Sequence, residues 1–106
     1  MKKQDNVIER IVRLAQKEFP ESEIFLYGSR ARRDNKSDSD WDLLVLLDAQ
    51  DVSFNKERKI IDDFYDLELD IGEALSPLIY SKSDWEEKYV HTPLFENISR
   101  EGIRIK

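Results

Sequence analysis

The 106-residue sequence has no cysteine, a single histidine, and no apolar run long enough to cross a bilayer or serve as a secretion signal. The first absence excludes disulfides and thiolate metal sites. The second leaves His91, just before Thr92-Pro93, without a histidine partner for a shared metal, so it reads as a structural or exposed side chain. The third makes the cytoplasm the expected location. Positive charge is also in short supply, since 17 Lys and Arg stand against 23 Asp and Glu for a formal net charge of -6. Nonspecific binding to nucleic acid or to an anionic membrane depends on summed positive charge, and both are disfavoured here.

No internal repeat and no low-complexity linker divides the chain. Apolar residues make up 40% of the sequence and recur in periodic clusters, with the charged 38% lying mostly between them. That pattern predicts a globular chain, and the length allows one domain over residues 1–106 with one core. Val7, Ile8, Ile11, Val12, Leu14, Ala15 and Phe19 fall at helical spacing, with Asn6 and Glu9 as a capping box and Pro20 as a stop. Ile24 to Tyr27 is a β-prone run ended by Gly28, and Trp41 to Leu47 is a second, nearly continuous apolar run. Both are predicted as central strands. Between them lie the eleven residues Ser29 to Ser39, all polar but Ala31 and four of them basic.

Beyond Asp48, the spacing of Ile60, Ile61, Phe64, Leu67 and Ile71 predicts a helix capped by Ser53 and ended by Gly72. Alternation alone would make Leu67 to Ile71 a strand, but the unbroken phase from Ile60 favours the helix. A third strand over Glu73 to Ser81, a capping box at Ser83 and Glu86, and a helix opened by Thr92-Pro93 and closed near Gly102 complete the expectation. The fold class is α/β (α+β), a small mixed sheet covered by helices.

Asp40 and Asp42 stand two residues apart at the start of a strand, so the period-two rule points both carboxylates to one face. Two ionised carboxylates that close repel each other unless a cation lies between them, and hard oxygen ligands favour magnesium or manganese. Alone, such a pair is equally a solvated acidic turn. Gly28-Ser29 at the end of the first strand suits a phosphate, because glycine lets backbone amides approach an anion and Ser29 adds a hydroxyl donor. Alone, it is equally a simple turn. The pairing of the two at the ends of adjacent core strands suggests one site for a triphosphate and its metal.

Gly28-Ser29, ten residues, then Asp40-Trp41-Asp42 resembles the GSx10DxD signature of the nucleotidyltransferase superfamily that includes DNA polymerase β and kanamycin nucleotidyltransferase. The stretch GSRARRDNKSDSDWDLLVLL and the ending PLFENISREGIRI are similar to minimal nucleotidyltransferases often paired with HEPN-domain toxins, the ending matching their C-terminal helix and last strand. The resemblance implies the nucleotidyltransferase fold and transfer of a nucleoside monophosphate, AMP from ATP, to an acceptor hydroxyl with magnesium or manganese as cofactor. It implies that Asp40 and Asp42 hold the metal, that Gly28, Ser29, Arg30 and Arg32 bind the nucleotide, and that a third carboxylate on a neighbouring strand completes the catalytic set. Glu73 is the first choice for that acid, and Asp70 the choice if Leu67 to Ile71 is strand. Arg30, Arg32, Arg33 and Lys36 also fit a solvated basic loop. Relatives often have glycine at the position of Arg33, which suggests a remodelled loop. The implied acceptor is a partner protein, such as a HEPN toxin. The alternative function is a non-catalytic nucleotide-binding antitoxin that acts by stoichiometric binding.

Overall fold

The structure, a computed structural model, describes residues 3–106; residues 1 and 2 of the expected single domain lie outside the described ones. Helix α1 (Lys3–Glu18) buries Val7, Ile11 and Ala15, the positions its spacing marked, and Phe19 follows it into the core. It begins at Lys3, so Asn6 lies inside the first turns and does not cap it as expected. Lysine and glutamine are good helix formers, which lets the helix start earlier than the box.

Strand β1 (Ser22–Tyr27) alternates, with Ser22, Ile24 and Leu26 buried on one face and Glu23, Phe25 and Tyr27 on the other. The four-residue helix α2 (Ser29–Arg32) follows, and then strand β2 (Trp41–Leu47), buried on both faces apart from Asp42. Helix α3 (Phe54–Ile71) is helical through Ile71, as its phase predicts. The Ser53 hydroxyl accepts the Lys56 amide at 3.1 Å, and Gly72 ends the helix in the left-handed region at φ 70°, donating its N–H to the Glu68 carbonyl at 2.9 Å.

Strand β3 (Leu75–Ser81) starts two residues later than expected. Gly72 turns the chain, Trp41 donates its amide to the Ala74 carbonyl at 2.9 Å, and the paired register begins at Leu75, so Glu73 precedes the strand. Helix α4 (Lys82–Lys88) follows at once. Its cap is Ser81, whose hydroxyl accepts the Asp84 amide at 3.0 Å, and not Ser83, which lies inside the helix and donates to the Gln50 carbonyl. Helix α5 (Pro93–Glu101) is capped by Thr92, ends at Gly102, and leads to the short strand β4 (Ile103–Arg104).

The sheet order is β3-β2-β1-β4, which makes β1 and β2 central. β1 runs antiparallel to β2 and β4, while β2 and β3 are parallel and α3 forms their crossover. One face buries Trp41, Leu43, Val45 and Leu47 against α1 and α3; the other packs Leu44 and Leu46 against Trp85 of α4 and Ile98 of α5. β2 therefore needs apolar side chains on both faces, which accounts for its nearly continuous run. Among the described residues no helix is long and apolar enough to cross a membrane.

A Cβ at Gly72 would meet no atom within 4 Å, so only backbone strain opposes a side chain there. Gly72→Ala should destabilise the fold by about 1 kcal/mol, read as a lower denaturation midpoint with an unchanged slope. An unchanged midpoint would show that α3 does not depend on the left-handed turn.

Candidate nucleotide site

The register of the three adjacent strands sets a row of side chains on the face opposite α1 and α3. Tyr27 pairs with Asp42 across β1 and β2, and Asp42 pairs with Ser76 across β2 and β3. Asp40, just ahead of β2, accepts a hydrogen bond from the Ser76 hydroxyl at 3.2 Å. Gly28 follows Tyr27 directly and comes so close to Asp42 that a Cβ there would lie 2.4 Å from Asp42 Oδ2. With φ at 75° as well, this turn requires glycine. The Gly28-Ser29 turn and the aspartate pair thus meet at one spot.

The electrostatics carry the mark of that proximity. Burial and then the charge of Asp40 push the Asp42 carboxyl up from its ordinary value, with Arg32 partly opposing them. Burial, Asp42 and Tyr80 push the Tyr27 phenol up to about 12. An excess of negative charge at Asp40 and Asp42, with Asp40 exposed and Asp42 half-buried, fits a hard divalent cation. No third His, Cys, Asp or Glu joins them in a metal-type cluster among the described residues.

The other expected site residues divide. Ser29 opens α2, where the Ala31 and Arg32 amides turn back onto the Gly28 carbonyl at 3.1 Å each, leaving the Ser29 and Arg30 amides as the donors a helix start can offer. The Arg30 side chain is buried. It donates to the Ser39 carbonyl at 2.9 Å and the Ser37 carbonyl at 3.3 Å, and its guanidinium lies 4.4 Å from the centre of the Trp41 ring. Glu73 is buried beside it, 3.9 Å from Arg30 Nη2. Arg30 and Glu73 thus hold the base of the Ser29 to Ser39 loop, away from the aspartate row. Asp70 lies on α3 and pairs with Arg10. Arg33, where relatives often have glycine, itself adopts the left-handed φ 62° and ψ 28° and donates its amide to the Ser29 carbonyl.

Two residues here were not anticipated. Ser76 occupies the neighbouring-strand position beside Asp42, which the sequence does not reveal because strand order and register cannot be read from it. Glu101, at the end of α5, accepts the Gly28 amide at 3.3 Å and both of its oxygens pair with Arg32, at 3.2 and 3.0 Å. A carboxylate therefore occupies an anion-type position on the turn. No local signal in the sequence ties residue 101 to residue 28.

The model of the polymerase beta nucleotidyltransferase family matches residues 9–105, and the chain belongs to that family. Among solved structures, a toxin–antitoxin crystal structure with AMP-PNP is similar at TM-score 0.68 and 17% identity, over 93% of this chain and 72% of that one. A structure of the toxin–antitoxin pair MntA and HpeT with two aspartate-to-glutamate substitutions is similar at TM-score 0.68 and 15% identity, over 93% and 72% of the respective chains. The same pair with a tyrosine-to-alanine substitution gives TM-score 0.63 and 18% identity, over 91% and 68%. At such identities the likeness is one of fold. No curated protein matches the chain.

The raised value at Asp42 has a direct consequence for stability. The folded chain holds that proton more tightly than the unfolded chain, so stability falls as pH rises from the ordinary carboxylate range through the raised value, and stays lower above it. Asp42→Asn should raise the unfolding midpoint at neutral pH, and the gain should vanish in acid. The same variant should bring the Tyr27 phenol down from about 12 in a spectrophotometric titration. A Tyr27 titration indifferent to Asp42 would show that the two groups are not neighbours.

Proposed function

We propose that this chain is a metal-dependent nucleotidyltransferase that moves AMP from ATP to a hydroxyl on a partner protein in the cytoplasm. The observation that carries the reading is the meeting of the Gly28-Ser29 turn with the Asp40/Asp42 pair at the ends of two hydrogen-bonded strands. Family membership supports the transfer chemistry, and the AMP-PNP in one similar toxin–antitoxin structure supports an adenine nucleotide and a protein partner. A HEPN-type toxin with an accessible tyrosine is the partner this reading favours.

Asp40 and Asp42 would hold magnesium or manganese, which when bound neutralises phosphate charge and polarises the α-phosphate. Ser29, its amide and that of Arg30 would bind the outer phosphates, and Arg32, an exposed cation at the turn, would meet charge developing on pyrophosphate. In the transfer an acceptor oxygen bonds to the α-phosphorus, the bond from that phosphorus to the bridging oxygen breaks, and pyrophosphate leaves. Tyr27, kept neutral by its surroundings, offers a hydroxyl donor beside Asp42. Arg30 and Glu73 act as positioning residues that fix the loop between the two halves of the site.

One observation favours a second reading, a nucleotide-binding antitoxin that acts without turnover. The strand position beside Asp42 is Ser76, and among the described residues no third carboxylate joins Asp40 and Asp42 in a metal-type cluster, while the nearby Glu101 is engaged by Arg32 and the Gly28 amide and is not free to take the acceptor proton. Pyrophosphate release from ATP, with and without magnesium and with the product of the neighbouring gene present, separates the two. The enzyme reading expects metal-dependent release that Asp42→Asn abolishes and Ser76→Asp increases. Tight magnesium-ATP and partner binding with no release in wild type, and release only in Ser76→Asp, would establish the binding reading instead.

Glu101 gives a separate expectation, because a phosphate approaching the Gly28 amide and Arg32 must displace its carboxylate. Glu101→Gln should tighten magnesium-ATP binding by about threefold to tenfold, a change of roughly 1 kcal/mol, in calorimetry. Weaker binding would mean that Glu101 shapes the site and does not compete for it.

A further inference from the structure

α3 has two apolar stripes, and the core uses one. Ile60, Phe64 and Leu67 are buried against the sheet, whereas Phe54, Ile61, Tyr65 and Leu69 are exposed, at 74%, 41%, 57% and 66%. At about 100° per residue these four positions fall within an arc of roughly 80°, centred some 130° around the helix from the buried stripe. Phe54, Ile61 and Tyr65 line a shallow groove of about 400 Å³ with Glu57, Arg58 and Asp62. Scattered apolar side chains on a surface are ordinary, but four on one line, two of them aromatic, form a docking feature.

The charges beside the stripe say what fits it. From Asp62 to Ile71 the helix carries five acidic side chains and no basic one. Acid in the last turns of a helix opposes the macrodipole, so this run costs the isolated helix stability. Asp70 is paired with Arg10, Asp63 with Lys59 at 2.7 Å and Asp62 with Arg58 at 3.5 Å, and Glu68 accepts the Leu75 amide at 2.8 Å, which leaves the exposed Asp66 as the acid beside the stripe without such a pairing among the described residues. A second copy of α3 lying parallel would bring these acids against their own kind, and one lying antiparallel would have to compete with the Arg58–Asp62 and Lys59–Asp63 pairs already made within the helix. An opposing surface with apolar anchors and Lys or Arg flanks would be attracted.

We propose that the exposed face of α3 docks a protein partner through an amphipathic helix whose apolar stripe is flanked by basic residues. Phe54 to Leu69 spans about 22 Å, so the fitting segment is a helix of roughly four turns. The inference deepens the protein-partner part of the proposed function and rests on it for the identity of the acceptor, but the docking requires neither nucleotide nor metal.

The probe is a labelled helical peptide of about 16 residues with a leucine stripe and lysine flanks. Its controls carry glutamate flanks or serine in place of the leucines. Wild type should bind the lysine-flanked peptide and neither control. Tyr65→Lys and Leu69→Lys should each weaken binding by about tenfold or more. Asp62→Asn with Asp66→Asn should weaken it and flatten its salt dependence. Both lysine variants change exposed positions, and intact magnesium-ATP binding confirms that they are folded. Asp42→Asn should dock the peptide normally while losing nucleotide, which separates failure of this proposal from failure of the nucleotide site. No binding of the lysine-flanked peptide, equal binding by Leu69→Lys, or equal binding of either control would overturn the proposal. So would a wild-type dimer in sedimentation that Leu69→Lys dissolves, since a second copy would then own the face.

Discussion

The site depends on a buried cation that does not touch it. Arg30 holds two carbonyls of the Ser29 to Ser39 loop, lies over Trp41, and has Glu73 beside it. That loop separates the Gly28-Ser29 turn from the aspartate pair, and of its eleven residues only Ala31 is apolar and packs against the core, which gives too little reason to adopt one path. A buried guanidinium supplies the reason. Leaving it without partners would cost several kcal/mol, so its carbonyl contacts fix where the loop returns to the sheet. Trp41, under the guanidinium, is the first residue of β2, and the clasp therefore also sets where the strand bearing Asp42 begins.

With the loop fixed, strand register does the rest. The antiparallel pairing of β1 and β2 puts Tyr27 opposite Asp42, and the parallel pairing of β2 and β3 adds Ser76. The resulting row combines a neutral phenol, a carboxylate whose proton affinity is raised, and a hydroxyl bonded to a second carboxylate. Such a cluster is stable alone only at the cost of like-charge repulsion, and a divalent cation would relieve that repulsion. Glu101 meets the complementary surplus on the other side, placing its carboxylate on Arg32 and the Gly28 amide. An acidic side, Asp40 and Asp42, thus lies against a donor side, the Gly28 amide and Arg32, and the donor side is held by the chain's own carboxylate.

Much of this was legible in the sequence because it rests on local periodicity. The phase from Ile60 through Phe64 to Leu67 identifies α3 over the rival strand, and the near-continuous run from Trp41 to Leu47 identifies a strand covered on both faces. The spacing of Gly28-Ser29 and Asp40/Asp42 singled out two stretches that the strand register brings together. What was hidden depends on contacts between distant residues. Arg30 and Arg32 are alike in sequence, yet one is buried on Trp41 and the other is exposed; the phase of a four-residue helix cannot tell them apart. Glu73 was expected among the aspartates because the strand was started two residues early, and the left-handed Gly72 turn sends it instead toward Arg30. Ser76 became visible only with the register, and Glu101 only with the docking of α5.

The central claim is that the ends of β1, β2 and β3 form one metal–nucleotide cleft. Amide and side-chain NMR signals of the wild-type chain, titrated with manganese at trace levels in the presence of ATP, test it most directly. Paramagnetic broadening falls off steeply with distance, so the account predicts early loss of the Gly28, Ser29, Asp40, Asp42 and Ser76 signals while those beyond the far end of β2, from Asp48 into the first turns of α3, persist. Broadening centred on the acidic half of α3, or spread evenly over the acidic surface, would contradict it.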